Sequence, residues 1–285
     1  MALKDILLHL DGSPRDAVRL DLAAGLAVAH EAHLIGLFVV DSALPSWVEA
    51  SALAYADAVE ADALIGQLEN GMRESAGRAE AAFSERRTRD GFSGEWRLVE
   101  GRVAASVALH ARYADLTIVG QDDPATPRPP ESGDLVERLL FTSGRPVLII
   151  PAFGDFTTLG RNILVGWDGG REAARAVNDA LPLLAKANSA TVLAINPCRG
   201  ISGRAGAPAA DIALHLARHG VKVNADHTVA RDISEADVLL NDAFERGADL
   251  LVVGGYGRSQ FREMLLGGIT HRLLQEMTLP VFMSH

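Results

Sequence analysis

An apolar run, Asp249-Leu-Leu-Val-Val253, leads straight into Gly254-Gly-Tyr-Gly257-Arg258-Ser259, and nine residues after Gly257 stand Gly267-Gly268-Ile-Thr-His-Arg. Glycines let a backbone approach a ligand closely, and a helix opening at Gly267 or Gly268 aims unpaired N–H groups at it. That geometry suits a phosphate chain. A glycine pair alone is as often a plain turn or a helix cap. Its weight here comes from Asp168, which closes another apolar run, Asn162-Ile-Leu-Val-Gly-Trp-Asp168. In a doubly wound sheet ordered 3-2-1-4-5 the first and fourth strands are neighbours, and ligands bind in the crevice at their carboxyl ends. Asp168 and Gly254 are then expected across one cleft. Arg258 and Ser259 are candidate phosphate contacts, with Ser259 equally readable as the cap of a following helix.

Other chemistry-bearing groups read more simply. His215 and His219 lie four apart, a spacing open to a metal, but they precede Gly220 at a helix end, where histidine complements the helix dipole. Cys198 has no sequence neighbour that would activate it and no partner for an intramolecular disulfide. Asp122, Asp123 and Asp134 read as a solvated acidic turn before a cation site. Asp11, ahead of a helix, reads first as its N-cap. No Gly-x-Ser-x-Gly, Walker lysine or His-Glu-x-x-His pattern is present, so hydrolysis of a bound nucleotide would be slow at most.

The elements that must position these residues are written twice. Asp5-Ile-Leu-Leu-His-Leu-Asp11-Gly12-Ser13 and Asn162-Ile-Leu-Val-Gly-Trp-Asp168-Gly169-Gly170 each precede a stretch of helical period. Second apolar runs follow at 34–40 and 190–195, later ones end at Gly120 and Gly254, and each copy closes on a proline-led strand, 146–150 and 280–283. Continuous apolar strands alternating with helices predict parallel sheets covered on both faces. The fold class is therefore α/β, with two doubly wound parallel-sheet domains, 1–155 and 156–285. The copies differ after the second strand, where residues 45–89 form an Ala- and Glu-rich insertion expected to hold one or two helices. They differ again at the loop: the first copy has Gly120-Gln-Asp-Asp123, nine residues rich in proline, then Gly133-Asp134. Acids stand where the second copy has glycines, and the first loop reads as degenerate. The closing strands are expected to pair with one another, since short apolar edges need cover.

With these motifs the sequence resembles the universal stress protein family, as a tandem member, over essentially its whole length. The resemblance implies strand order 3-2-1-4-5 in each half and an intramolecular pseudo-dimer, with a further homodimer open. It implies that ATP, with or without Mg, is held by Gly254, Gly257, Gly267 and Gly268 at the phosphates, by Asp168 at the nucleoside and by the backbone at Ile195 near adenine. The family usually carries Ser or Thr where this chain has Gly268, a lost hydroxyl contact of about 1–2 kcal/mol. A nucleotide-binding stress protein acting through ligand-dependent association is the implied function. A weak ATPase or nucleotidyl-transferring enzyme, or an assembly module without nucleotide, are the alternatives.

Composition narrows the partners. A net charge of −10 and a pI near 5.4 oppose broad attraction to nucleic acid or anionic lipid. No apolar run reaches bilayer length and no cleavable leader pattern opens the chain, so a cytoplasmic location is expected.

Overall fold

The computed structural model describes residues 2–41, 58–122, 135–196, 208–256 and 268–285. Contacts gather into two compact units, Leu3–Arg145 and Pro146–His285.

The first unit contains β1 (Asp5–Leu10), α1 (Asp16–His30), β2 (His33–Asp41), α2 (Ala58–Asp90), β3 (Gly94–Gly101), α3 (Val103–Ala111), β4 (Leu116–Gly120) and α4 (Leu135–Thr142). Its strands run in parallel in the order β3-β2-β1-β4. Ile6, Leu7, Leu8, Leu34 and Leu37 are fully buried, because helices cover both faces of a parallel sheet. The sequence left one or two helices open for the insertion; residues 58–90 form a single helix, and 42–57 lie outside the described residues. This helix is anchored by Phe83, whose ring meets Phe92 edge-on at 5.9 Å and Trp96 at 5.8 Å. Gly36 in β2 makes room for that cluster, since a β-carbon there would lie 2.8 Å from Trp96 and 2.9 Å from Phe83.

The second unit contains β5 (Val147–Ile150), β6 (Asn162–Gly166), α5 (Arg171–Asp179), α6 (Leu181–Leu184), β7 (Ser189–Ile195), α7 (Pro208–Arg218), β8 (Val223–Thr228), α8 (Glu235–Glu245), β9 (Leu250–Gly254), α9 (Ile269–Glu276) and β10 (Val281–Ser284). Strands β8-β7-β6-β9-β10 are parallel, which is the 3-2-1-4-5 order. The sheet continues into β5, which pairs antiparallel with β10 in the register Val281↔Ile149, Phe282↔Leu148, Met283↔Val147. The closing strand of the first sequence copy is thus added to the sheet of the second, as the short apolar edges led one to expect. All four residues of β5 and of β10 are buried.

Leu148 and Phe282 face each other as register partners and are both fully buried. Leu148→Ala is expected to cost about 2–5 kcal/mol and Phe282→Ala about 3–5 kcal/mol in denaturant unfolding. The double variant should fall short of their sum by at least about 0.5 kcal/mol, because the second truncation removes part of an interaction already lost. Strict additivity would mean that the two side chains do not share this contact.

Candidate functional site

Strands β6 and β9 lie side by side, with Val165 opposite Val252, and both end in glycine, Gly166 and Gly254. Past β6 the Trp167 N–H donates to the Leu193 carbonyl of β7 at 2.9 Å, which turns the chain towards Asp168. The exposed Asp168 carboxylate accepts the Gly170 N–H at 2.7 Å. Gly170 itself is the N-cap of α5, so Asp168 shapes the turn from outside the helix. Gly254 has a local reason to be glycine: a β-carbon there would sit 2.5 Å from the Ala173 nitrogen and 2.6 Å from the Glu172 carbonyl carbon. The first turn of α5 therefore rests directly on the end of β9.

Beyond Gly254 the chain is held to the far wall of the crevice. The Gly255 N–H donates to the Ser284 carbonyl at 2.9 Å. Tyr256 takes a left-handed conformation, φ 48°, and its N–H reaches the buried Thr270 hydroxyl at 3.2 Å. A left-handed non-glycine residue carries strain that its surroundings must hold in place. Gly268 is the N-cap of α9 and has no side chain to bond the free N–H groups of the first turn. Gly257, Arg258, Ser259 and Gly267 lie outside the described residues.

These elements enclose a cavity of about 320 Å³ whose walls include Asp168, Glu172, Ile195, Glu235, Gly254 and Thr270. Three of the residues singled out in the sequence, Asp168, Ile195 and Gly254, are thereby brought to one crevice. Glu172, Glu235 and Thr270 were missed. Glu235 opens α8 just after the Ser234 capping box with Asp237, a pattern that marks a helix start but not its proximity to a site. Its carboxylate accepts from the Asn196 side-chain amide at 2.8 Å, and Asn196, left-handed at φ 50°, ends the path of β7 beyond Ile195. Glu172 is buried; burial pushes its pKa up, but the Arg171 guanidinium bonded to it outweighs that and holds the carboxyl below the ordinary value. Glu172 and Glu235 thus have partners of their own, and Asp168 is the exposed carboxylate.

The matching place in the first unit is built differently. Helix α1 is capped by Arg15, not by Asp11 as the sequence suggested, and the Asp11 carboxylate is bonded to Arg19 at 2.5 Å. Asp16 also binds Arg19. Burial pushes the Asp11 pKa up, yet the Arg19 charge and hydrogen bond overcome it, so Asp11 stays well below the usual carboxylate range. Asp123 and Asp134, which carried the reading of a degenerate loop, lie outside the described residues. Elsewhere, the rings of His215 and His219 pack edge-to-face at 4.7 Å, and among the described residues no three His, Cys, Asp or Glu side chains cluster as metal ligands. No helix among the described residues is long and apolar enough to cross a membrane.

Comparison with known proteins agrees with this frame. Residues 160–285 match the model of the universal stress protein family. A curated universal stress protein of Bacillus subtilis (strain 168), YxiE, is 41% identical over 54 residues, a match spanning 19% of this chain and 36% of that protein's length. Among solved structures, a universal stress protein from Archaeoglobus fulgidus superposes over 98% of this chain and 95% of its own, with 18% identity and a TM-score of 0.69. A functionally unknown protein from Pseudomonas aeruginosa PAO1 covers 99% of this chain and 92% of its own, at 17% identity and a TM-score of 0.54.

The contact at Gly254 is open to a direct test. Gly254→Ala must push α5 off the end of β9 and is expected to lower stability by about 1–3 kcal/mol in denaturant unfolding. Gly77→Ala in α2 meets nothing within 4 Å and should instead raise stability by about 0.5–1 kcal/mol. Equal effects from the two substitutions would remove the packing explanation for Gly254.

Proposed function

We propose that this chain, whose residues 160–285 match the universal stress protein family, binds one adenine nucleotide, ATP, in residues 156–285 and acts in stress response through ligand-dependent association. Residues 1–155 form the companion domain, whose loop carries acids in place of glycines. The observation that supports this most is the cavity itself. It lies at the switch point of a 3-2-1-4-5 sheet, has a volume within the usual range for small-molecule sites, and is walled by the first-strand Asp168, the second-strand Ile195 and the fourth-strand Gly254 together. Asp168, facing outward with one oxygen on Gly170, retains capacity to accept hydrogen bonds from ribose hydroxyls. The first turn of α9 past Gly268 has no side-chain cap, and its Ile269 and Thr270 line the cavity, which suits a phosphate at that end.

Electrostatics set a condition on that ligand. Asp168, Glu172 and Glu235 share the wall, and one carboxylate about 4 Å from a phosphate charge costs roughly 4 kcal/mol at an effective dielectric near 20. Micromolar binding totals only about 8 kcal/mol. Binding of the triphosphate is therefore expected to need Mg alongside, with Arg171 already neutralising Glu172.

Calorimetric titration of the full chain with Mg-ATP should give a stoichiometry near one. Gly257→Asp should abolish binding, while Gly268→Ser should strengthen it by roughly five- to tenfold, the worth of about 1 kcal/mol from one restored hydroxyl contact. Omitting Mg should weaken binding by more than tenfold. Undiminished binding by Gly257→Asp, or a wild-type stoichiometry near two, would move the site out of the second half.

A further inference from the structure

The two crevices differ in what fills the space at the end of the fourth strand. In the second unit Gly254 receives the backbone of α5, and the volume beyond it stays open as the cavity. In the first unit the corresponding Gly120 receives a side chain: a β-carbon at 120 would run into Nη1 of the Arg19 guanidinium. Arg19 follows Asp11 at the separation by which Ala176 follows Asp168, and both are buried, Arg19 to 2% exposure and Ala176 to 0%. Asp16 and Ala173 correspond in the same count. A small apolar pair in one half is thus replaced by an acid and a base in the other.

The guanidinium is held on several sides. Its Nη2 donates to Asp11 at 2.5 Å, to Ser13 at 3.2 Å and to Asp16. Helix α2 closes over the same turn, with Ser75 so near that a β-carbon at Gly12 would lie 2.9 Å from its own. The group carries one positive charge against two carboxylates. An arriving phosphate would find the space beneath Gly120 taken and no net positive charge to attract it.

We propose that Arg19 is the residue that decides which half takes the nucleotide: its guanidinium, clamped by Asp11, Asp16 and Ser13, is a built-in occupant of the first unit's crevice. The carboxylate pair with Ser13 is accordingly a guanidinium receptor filled by the chain itself. This rests on the proposed nucleotide site only for the identity of the ligand excluded; the clamp is a property of the first unit alone. It also means that mending the acidic loop is not sufficient to open a second site.

Two readouts on the full chain test this. Arg19→Ala leaves the receptor empty, so its melting temperature should fall, and millimolar guanidinium or methylguanidinium should raise it again while equal ammonium or sodium does not; wild type should be indifferent to the choice of cation. Because that variant retains two unpaired acids, Asp16→Ala with Arg19→Ala, which copies Ala173 and Ala176, serves as the version that keeps its fold. In Mg-ATP titration, Asp123→Gly with Asp134→Ser should still bind one equivalent while Arg19 is present, and should bind more than one once Asp16→Ala and Arg19→Ala are added. A second equivalent bound with Arg19 in place, no gain on its removal, or a melting response that does not distinguish guanidinium from ammonium would each overturn the assignment. A wild-type stoichiometry of zero would strike the nucleotide reading while leaving the guanidinium response to stand or fall by itself.

Discussion

Each half of this protein is governed by how closely its first helix can approach the end of its fourth strand. A parallel sheet brings the first and fourth strands side by side and turns the helices after them to opposite faces, leaving a crevice between. Whether that crevice is a site depends on what enters it. At Gly254 the nearest atoms are the main chain of Glu172 and Ala173 and the Glu172 β-carbon, and the volume beyond stays open. At Gly120 it is the Arg19 guanidinium, which ends in the crevice and brings Asp11 and Asp16 with it. One glycine in the same place in two copies of one sheet thus serves an open cavity and a closed one.

Charge follows from that packing. A buried guanidinium is tolerable only with its charge compensated, and Asp11 and Asp16 do this through bonds to Nη2, while Nε is buried without a partner. Burial and the neighbouring Asp11 push the Asp16 pKa up against the pull of Arg19, while Asp11, nearer balance with the cation, goes down. The pair shares one positive charge unequally, as expected when two acids compete for one base. In the second half the corresponding burial, Ala173 and Ala176, is apolar, and the acids Glu172 and Glu235 line the cavity, bonded to Arg171 and Asn196. The second unit can present negative groups to a ligand because it does not need them to neutralise a buried base.

Much of this frame was legible in the sequence, and what was not has physical reasons. The two apolar-strand patterns and the pairing of the proline-led strands follow from period and edge chemistry, which are local or nearly so, while the order 3-2-1-4-5 came with the family resemblance. Asp168 and Gly254 could be assigned to one crevice because strand ends in a doubly wound sheet have known neighbours, and Ile195 was added by the family resemblance. Glu235 and Thr270 could not, since they reach the cavity from helices whose placement depends on packing. Arg19 was hidden for a different reason. It lies within a helical stretch where arginine is ordinarily a solvated residue, and only the tertiary approach of Gly120 makes it a core group. Asp11 was misread as a cap because its true partner, Arg19, is eight residues further along, beyond the reach of a capping rule.

The asymmetry between the copies has a simple energetic logic. A duplicated site that loses its ligand leaves a hollow at the switch point, and a hollow of that kind lowers stability in proportion to its volume. The long Arg19 side chain fills the space at Gly120, provided acids are at hand to balance its charge. Asp11 already stood at the end of the first strand, and Asp16 and Ser13 on the turn after it complete the set. Helix α2 then closes the mouth over Gly12, anchored by Phe83 against Trp96 and Phe92. In the role proposed for it, Arg19 stands in the first half where the second half keeps open space beyond Gly254.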